Sequence, residues 1–150
     1  TARSLCRLMR HYRDVRIVFI SPPAFEMEQD IKDYLNEHGV EYQEASTLHG
    51  TLPELDAIYV TRMQFEHDIE NESFEVDLAP YTIGVDEMEL MKPSAIIMHP
   101  LPRGPEIHPD VDKDPRAIYW RQERNGMWMR VALIACVLGV ADEIKDSEFQ

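Results

Sequence analysis

Residues 16–60 read RIVFISPPAFEMEQDIKDYLNEHGVEYQEASTLHGTLPELDAIYV, and this stretch decides the fold class. Three short runs in it are rich in β-branched and aromatic residues, and they span 16–20, 40–44 and 57–60. Such runs predict strands. Between the first two runs, Ile31 and Leu35 recur at helical spacing before Gly39, which predicts a helix over 28–38. Strands that alternate with helices are typical of a parallel sheet.

The rest of the chain continues this alternation. Further helices are predicted over 2–12, 51–55 and 86–91, and a fourth strand over 95–98. A strand or turn at 117–120 is predicted to lead into a long helix over 126–140, apolar on nearly every face and therefore buried between neighbours. We expect residues 1–150 to form one α/β domain, a three-layer Rossmann-like fold with a mainly parallel sheet flanked by helices.

Composition excludes several classes of function. The net charge is -13, with 28 acidic residues against 15 Lys and Arg, which argues against nucleic acid and anionic membranes as partners. No run is long and apolar enough for a membrane span and no signal peptide is seen, so we expect a cytoplasmic protein. Cys6 and Cys136 are predicted to be buried thiols. No metal-ligand spacing, glycine-rich phosphate loop or nucleophile triad is present, so no metal is expected.

The first candidate site follows the third strand, where the sequence reads YVTRMQ. Arg62 and Gln64 are two positions apart and so face the same way in an extended backbone. A guanidinium and an amide together offer several N–H donors, which suits a dicarboxylate ligand. The alternative is that Arg62 pairs with Glu66 or with the acidic segment 66–79, which we expect to be a long mobile loop.

The second candidate site is HPLPR, residues 99–103, directly after the fourth strand. An exposed carbonyl at Leu101 or Pro102 could accept a hydrogen bond from an attacking amine, and an X-Pro bond there could be cis. The alternative is an ordinary proline-rich connector with a structural His99. Arg130 in the last helix would need a carboxylate or ligand partner if buried, and a surface arginine is an equal alternative.

These motifs resemble a known family. YVTRMQFE and MHPLPR, followed by EI, DVD, DPRA and NGMWMRVALIACVLG, resemble the carboxyl-terminal half of aspartate transcarbamoylases over nearly the whole chain. HPLPR is the specific part, because the sister ornithine enzymes have a cysteine after the histidine where this chain has Pro100. The chain departs from the family at Phe65 and His67, where the family usually has basic residues that help the two domains close.

The resemblance implies roles for residues at the motif positions. Arg62 would hold an aspartate carboxylate with Gln64 as its companion, and Glu66 would steady that arginine. The backbone carbonyls of Leu101 and Pro102 would meet the substrates, and Arg130 would be a further site arginine. His99 and Arg103 would belong to the motif as scaffold.

The resemblance also implies a larger enzyme. It would join carbamoyl phosphate to L-aspartate, giving N-carbamoyl-L-aspartate and phosphate for pyrimidine biosynthesis, without a cofactor. An amino-terminal domain would bind carbamoyl phosphate, and a neighbouring subunit of a homotrimer would complete the site, with a regulatory chain as a further possible partner. We therefore expect residues 1–150 alone to be inactive. Two alternatives stay open: a transcarbamoylase for another amino acid, and a non-catalytic amino-acid-binding or assembly domain.

Overall fold

The structure is a computed structural model that describes residues 1–62 and 77–143. Its α-helices are α1 (Ala2–Met9), α2 (Gln29–Glu37), α3 (Val85–Leu90) and α4 (Tyr119–Leu138). Its strands are β1 (Arg16–Ile20), β2 (Glu41–Ala45), β3 (Ala57–Tyr59) and β4 (Ile96–Met98). Short 3-10 helices lie at Pro23–Phe25, Leu52–Glu54, Ala79–Tyr81, Pro109–Lys113 and Ala141–Glu143.

The first half is a β-α-β unit. β1 and β2 pair in parallel, and α2 connects them. The helix packs through Ile31 and Leu35, four residues apart and fully buried, each worth about 1.5–3 kcal/mol of burial free energy. After the helix, Gly39 adopts a φ of 67°, the left-handed conformation that glycine reaches most easily. The buried core of this half consists of Cys6, Ile31, Leu35 and Val40.

The second half is built on β3 and β4, which also pair in parallel. Beyond the strand ends, the Val60 N–H donates to the Met98 carbonyl at 2.9 Å. On the other side of β4, Ile97 forms a parallel bridge with Ala117, just before α4 begins. Apolar side chains from strands, α3 and loops form the core of this half: Leu48, Leu52, Ile58, Ile83, Met88, Met91, Ala95, Ile97, Ile107, Val111 and Tyr119.

The α/β class with parallel strands flanked by helices is confirmed, and the predicted strands and helices of residues 16–60 lie within one residue of their predicted ends. One continuous sheet was expected, whereas the described strands form two parallel pairs, β1-β2 and β3-β4. α1 ends at Met9 rather than at residue 12. Of the expected loop 66–79, residues 66–76 lie outside the described part, and Ala79 begins a 3-10 helix.

The expectation for the last helix was wrong in two respects. α4 begins at Tyr119, seven residues before the predicted start. The polar segment 121–126, which was expected to precede the helix, is part of it and is mostly exposed to solvent. Most of its apolar side chains are exposed rather than buried, with Val137 85% accessible. Tyr119 and Ala135 are the α4 side chains that are buried. Cys136 lies on the exposed part and is accessible, whereas Cys6 is buried as predicted.

No helix in residues 1–62 and 77–143 is long and apolar enough to cross a membrane. Over the same ranges, no group of three or more His, Cys, Asp or Glu side chains is arranged to hold a metal ion.

Candidate active site at the ends of β3 and β4

The two predicted sites meet at one edge of the β3-β4 pair. Tyr59 lies beside Met98 in a parallel register, so both strands end at the same edge. Arg62 comes three residues after Tyr59, and Leu101 comes three residues after Met98. Arg62, which is exposed, and the HPLPR segment therefore follow neighbouring strands at the same edge. This edge is where parallel α/β sheets bind ligands.

The backbone at Leu101 turns sharply after β4. Leu101 has a φ of 52°, in the left-handed region that a leucine seldom occupies, and its peptide bond to Pro102 is cis. The cis bond agrees with the expectation from the sequence. The Leu101 N–H donates to Nδ1 of His99 at 2.9 Å, which fastens this turn to the side chain two residues earlier.

His99 lies at the centre of this turn. Its side chain is 1% exposed, and its Nε2 is 2.8 Å from Oε1 of Glu106. Because Nδ1 accepts the Leu101 N–H, the hydrogen of the neutral ring is on Nε2 and is donated to Glu106. His99 is therefore oriented from both sides of its ring, as a structural histidine would be.

Glu106 is the other buried polar residue among those described, with 8% of its surface exposed. Its Oε1 also accepts the Gly104 N–H at 2.7 Å. Burial raises the pKa of this carboxyl group, but the hydrogen bonds from Gly104 and His99 outweigh it, so the pKa lies below its ordinary value. The side chain is consequently a carboxylate at neutral pH.

Gln122 connects α4 to both strand ends. Its Oε1 accepts the backbone N–H of His99 at 3.0 Å. Its Nε2 lies 3.5 Å from the hydroxyl of Tyr59, at the limit of a hydrogen bond. The first turn of α4 thus contacts the end of β4 directly and the end of β3 more weakly.

Arg103, the last residue of HPLPR, belongs to a second polar cluster. It forms an ion pair with Asp112, and Asp112 also accepts a short hydrogen bond from the hydroxyl of the buried Tyr119. Burial raises the pKa of Asp112, but the Tyr119 and Arg103 hydrogen bonds lower it further than burial raises it. Burial and the nearby carboxylate raise the pKa of Tyr119, so the phenol keeps its proton.

The other predicted site residues are distributed as follows. Gln64 and Glu66 lie outside the described residues, so their predicted roles stay predictions. Arg130 is exposed on α4, eight residues after Gln122 and so about 12 Å along the helix axis. Its predicted role as a further site arginine stays a prediction.

Sequence reasoning missed three residues that organise the site: Glu106, Gln122 and Asp112. Glu106 and Asp112 lie in a proline-rich segment with no periodicity, so nothing indicated that their side chains point inward. Gln122 was missed because the start of α4 was placed too late. The available signal was that Glu106 and Asp112 belong to the EI and DVD stretches that carry the family resemblance.

Comparison with known proteins agrees with this geometry. The family model described as aspartate/ornithine carbamoyltransferase, Asp/Orn binding domain, matches residues 1–137. The chain is 45% identical over 139 residues to a chloroplastic aspartate carbamoyltransferase of Arabidopsis thaliana, covering 92% of this chain and 36% of that protein. It is 40% identical to the aspartate carbamoyltransferase catalytic subunit of Thermococcus onnurineus, covering 95% of this chain and 46% of that protein. The chain thus spans less than half the length of these relatives.

Solved structures give the same result. The fold is similar to aspartate transcarbamoylase from Trypanosoma cruzi in complex with carbamoyl aspartate and phosphate, with a TM-score of 0.76 and 34% identity. The match covers 89% of this chain and 42% of that one. A second structure of the Trypanosoma cruzi enzyme, in complex with aspartate and phosphate, matches with a TM-score of 0.75. The family model, the relatives and the fold agree, and this chain belongs to the aspartate/ornithine carbamoyltransferase family as its Asp/Orn binding domain.

Proposed function

We propose that this chain is the aspartate-binding half of an aspartate carbamoyltransferase, which transfers the carbamoyl group of carbamoyl phosphate to L-aspartate for pyrimidine biosynthesis. The observation that carries the proposal is the parallel register of β3 and β4, which sets Arg62 and the HPLPR turn at one edge. A cation and backbone carbonyls at that edge can bind the two ends of an amino acid with a side-chain carboxylate.

Each part of the edge has a task in the proposed reaction. The planar guanidinium of Arg62 grips a substrate carboxylate through two parallel N–H bonds. The carbonyls of Leu101 and Pro102 accept hydrogen bonds from the substrate amine and so aim its lone pair. Orientation of this kind can supply several kcal/mol of the barrier without a charged catalytic group.

The chemistry balances without a cofactor. The neutral amine of aspartate attacks the carbamoyl carbon, a C–N bond forms, and the bond from that carbon to the phosphate oxygen breaks. The departing phosphate carries away the bonding electron pair and can take the proton that the amine loses. Removal of water and fixed donors around the developing charge would supply the remaining stabilisation.

The rest of the enzyme lies outside this chain in the proposal. A second domain binds carbamoyl phosphate, and a homotrimer completes each site with a neighbouring subunit, as the family resemblance implies. Residues 1–150 alone would then form no product. Cytoplasmic location stays a prediction, and the similar plant proteins are named as chloroplastic.

The test is an assay of carbamoyl-aspartate formation by the complete chain with Arg62→Gln. We expect KM for aspartate to rise about 10- to 100-fold, since two charge-assisted hydrogen bonds are lost, while KM for carbamoyl phosphate stays the same. The matched control is Arg16→Gln, because Arg16 is an exposed β1 arginine that pairs with Glu54 at 2.9 Å, away from the site. Equal effects of the two variants would contradict the proposal.

The same assay, together with a measurement of the melting temperature, separates the alternatives. Product with ornithine but not with aspartate would identify a transcarbamoylase for another amino acid. A melting temperature raised by aspartate in a complete chain that forms no product would identify a non-catalytic binding domain.

A further inference from the structure

We propose that Glu106 is a positioning residue that acts through His99 to hold the Leu101-Pro102 peptide in its substrate-facing orientation. This inference rests on the proposed function, in which Glu106 does not touch the substrate. Glu106 comes four residues after Pro102, and its carboxylate lies against the ring of His99.

The hydrogen bonds around His99 have defined directions. The Leu101 N–H donates to His99 Nδ1 at 2.9 Å, and His99 Nε2–H donates to Glu106 Oε1 at 2.8 Å. The two bonds form a relay in which the carboxylate decides which ring nitrogen carries hydrogen. If Nδ1 carried it instead, two N–H groups would face each other and the Leu101 amide would be pushed away. The charge of Glu106 therefore fixes the backbone of Leu101.

The same carboxylate oxygen also binds the far side of the turn. Glu106 Oε1 accepts the Gly104 N–H at 2.7 Å, so one atom fastens residues on both sides of the cis Leu101-Pro102 bond. A buried carboxylate without such partners would be strongly destabilising. The carbonyls of Leu101 and Pro102 are held between these two anchors and have little freedom to rotate.

A second glutamate, Glu87, has a similar set of contacts in a different setting. Glu87, at the start of α3, also accepts a glycine N–H, from Gly84 at 2.8 Å, and lies 3.3 Å from His49. The side chain of His49, however, is 61% exposed, whereas that of His99 is 1% exposed. Glu87 caps a helix, whereas Glu106 acts on the peptide that meets the substrate. Glu87 thus provides a matched control.

The experiment compares Glu106→Ala, Glu106→Gln and Glu87→Ala in the complete chain. We expect kcat for carbamoyl-aspartate formation to fall about 100-fold in E106A, the effect of an ångström-scale displacement of an orienting group. E106Q keeps the volume and should lose less, about tenfold. KM for carbamoyl phosphate should not change in either, and E87A should keep the wild-type kcat. A general loss of structure would not produce this separation.

A double-mutant cycle tests whether Glu106 acts through His99. In a His99→Asn background, the further loss caused by E106Q should shrink to less than twofold, because the relay is already broken. A full tenfold loss in that background would overturn the inference. So would a kcat of E106Q or E106A within twofold of that of E87A.

A readout without turnover separates this inference from the proposed function. Hydrogen exchange at the Leu101 amide should be at least tenfold faster in E106Q than in wild type or E87A, because its acceptor is no longer oriented. Unchanged exchange would refute the relay even if the wild type is fully active. A wild type that forms no product while E106Q shows the faster exchange would refute the proposed function and leave the relay standing.

Discussion

The two strand pairs have the same parallel pairing but different polar chemistry. In the β1-β2 half, the pairs of Arg3 with Asp30 and Arg16 with Glu54 lie at the surface. In the β3-β4 half, His99 and Glu106 are buried, and they are the buried polar side chains of the described residues. Burying polar groups costs free energy that apolar packing does not. The difference indicates that the first half is scaffold and that the second holds the site.

The largest effects are expected from truncating one buried side chain in each of the two hydrophobic cores. Leu35→Ala in α2 and Ile97→Ala in β4 each remove a fully buried side chain, so each should lower the free energy of unfolding by about 2–5 kcal/mol. Only I97A should also reduce kcat of the complete chain, by about tenfold, because Ile97 lies two residues before His99. Urea denaturation and steady-state kinetics measure the two effects. A comparable loss of kcat in folded L35A would abolish the distinction between the halves.

A smaller effect is expected from the pH dependence of the polar network. The pKa of Asp112 lies below its ordinary value, so its contribution is fully present above the unfolded pKa of about 4 and is lost as pH falls through the folded pKa. Asp112→Asn should therefore lower stability at pH 7 by about 1.5–3 kcal/mol and less at pH 3. Urea midpoints at pH 7, 5, 4 and 3 test this, and a constant difference across that range would contradict it.

The smallest effect is expected in the β1-β2 half at the surface. Arg3 is paired with both Glu28 and Asp30, and the Asp30 hydrogen bond raises the pKa of the Arg3 guanidinium. Because exposed ion pairs contribute little, Arg3→Gln should leave the melting temperature and both KM values unchanged within error. A loss of stability as large as that of D112N would show that surface pairs also hold this half together.

The elements that were predicted correctly are those with a strong local pattern. The strand at 16–20 follows from its run of β-branched and aromatic residues. The helix follows from the spacing of the buried Ile31 and Leu35 and from Gly39. The predicted start of α4 was wrong because the first turns of the helix carry polar residues. Its predicted burial was wrong because its apolar side chains are not covered by the described part of the chain. Apolar composition predicts a helix, but it does not identify what packs against it.

The candidate site was predictable in part for a related reason. Arg62 and Leu101 could be brought together because parallel strands end at one edge, which is a rule of topology. The place of Glu106 at the site could not be predicted, because it depends on a turn with Leu101 in a left-handed conformation. No local propensity indicates that turn. Long-range side-chain contacts of this kind require the three-dimensional structure.

The most direct test is hydrogen exchange of the complete chain with and without saturating L-aspartate, in the presence of phosphate as an unreactive substitute for carbamoyl phosphate. Our account predicts that peptides covering 57–62 and 97–106 gain protection, because the substrate binds between the ends of β3 and β4. Protection at 20–25 and 45–48, beyond the ends of β1 and β2, with 57–62 and 97–106 unchanged, would place the substrate on the wrong half and contradict the account.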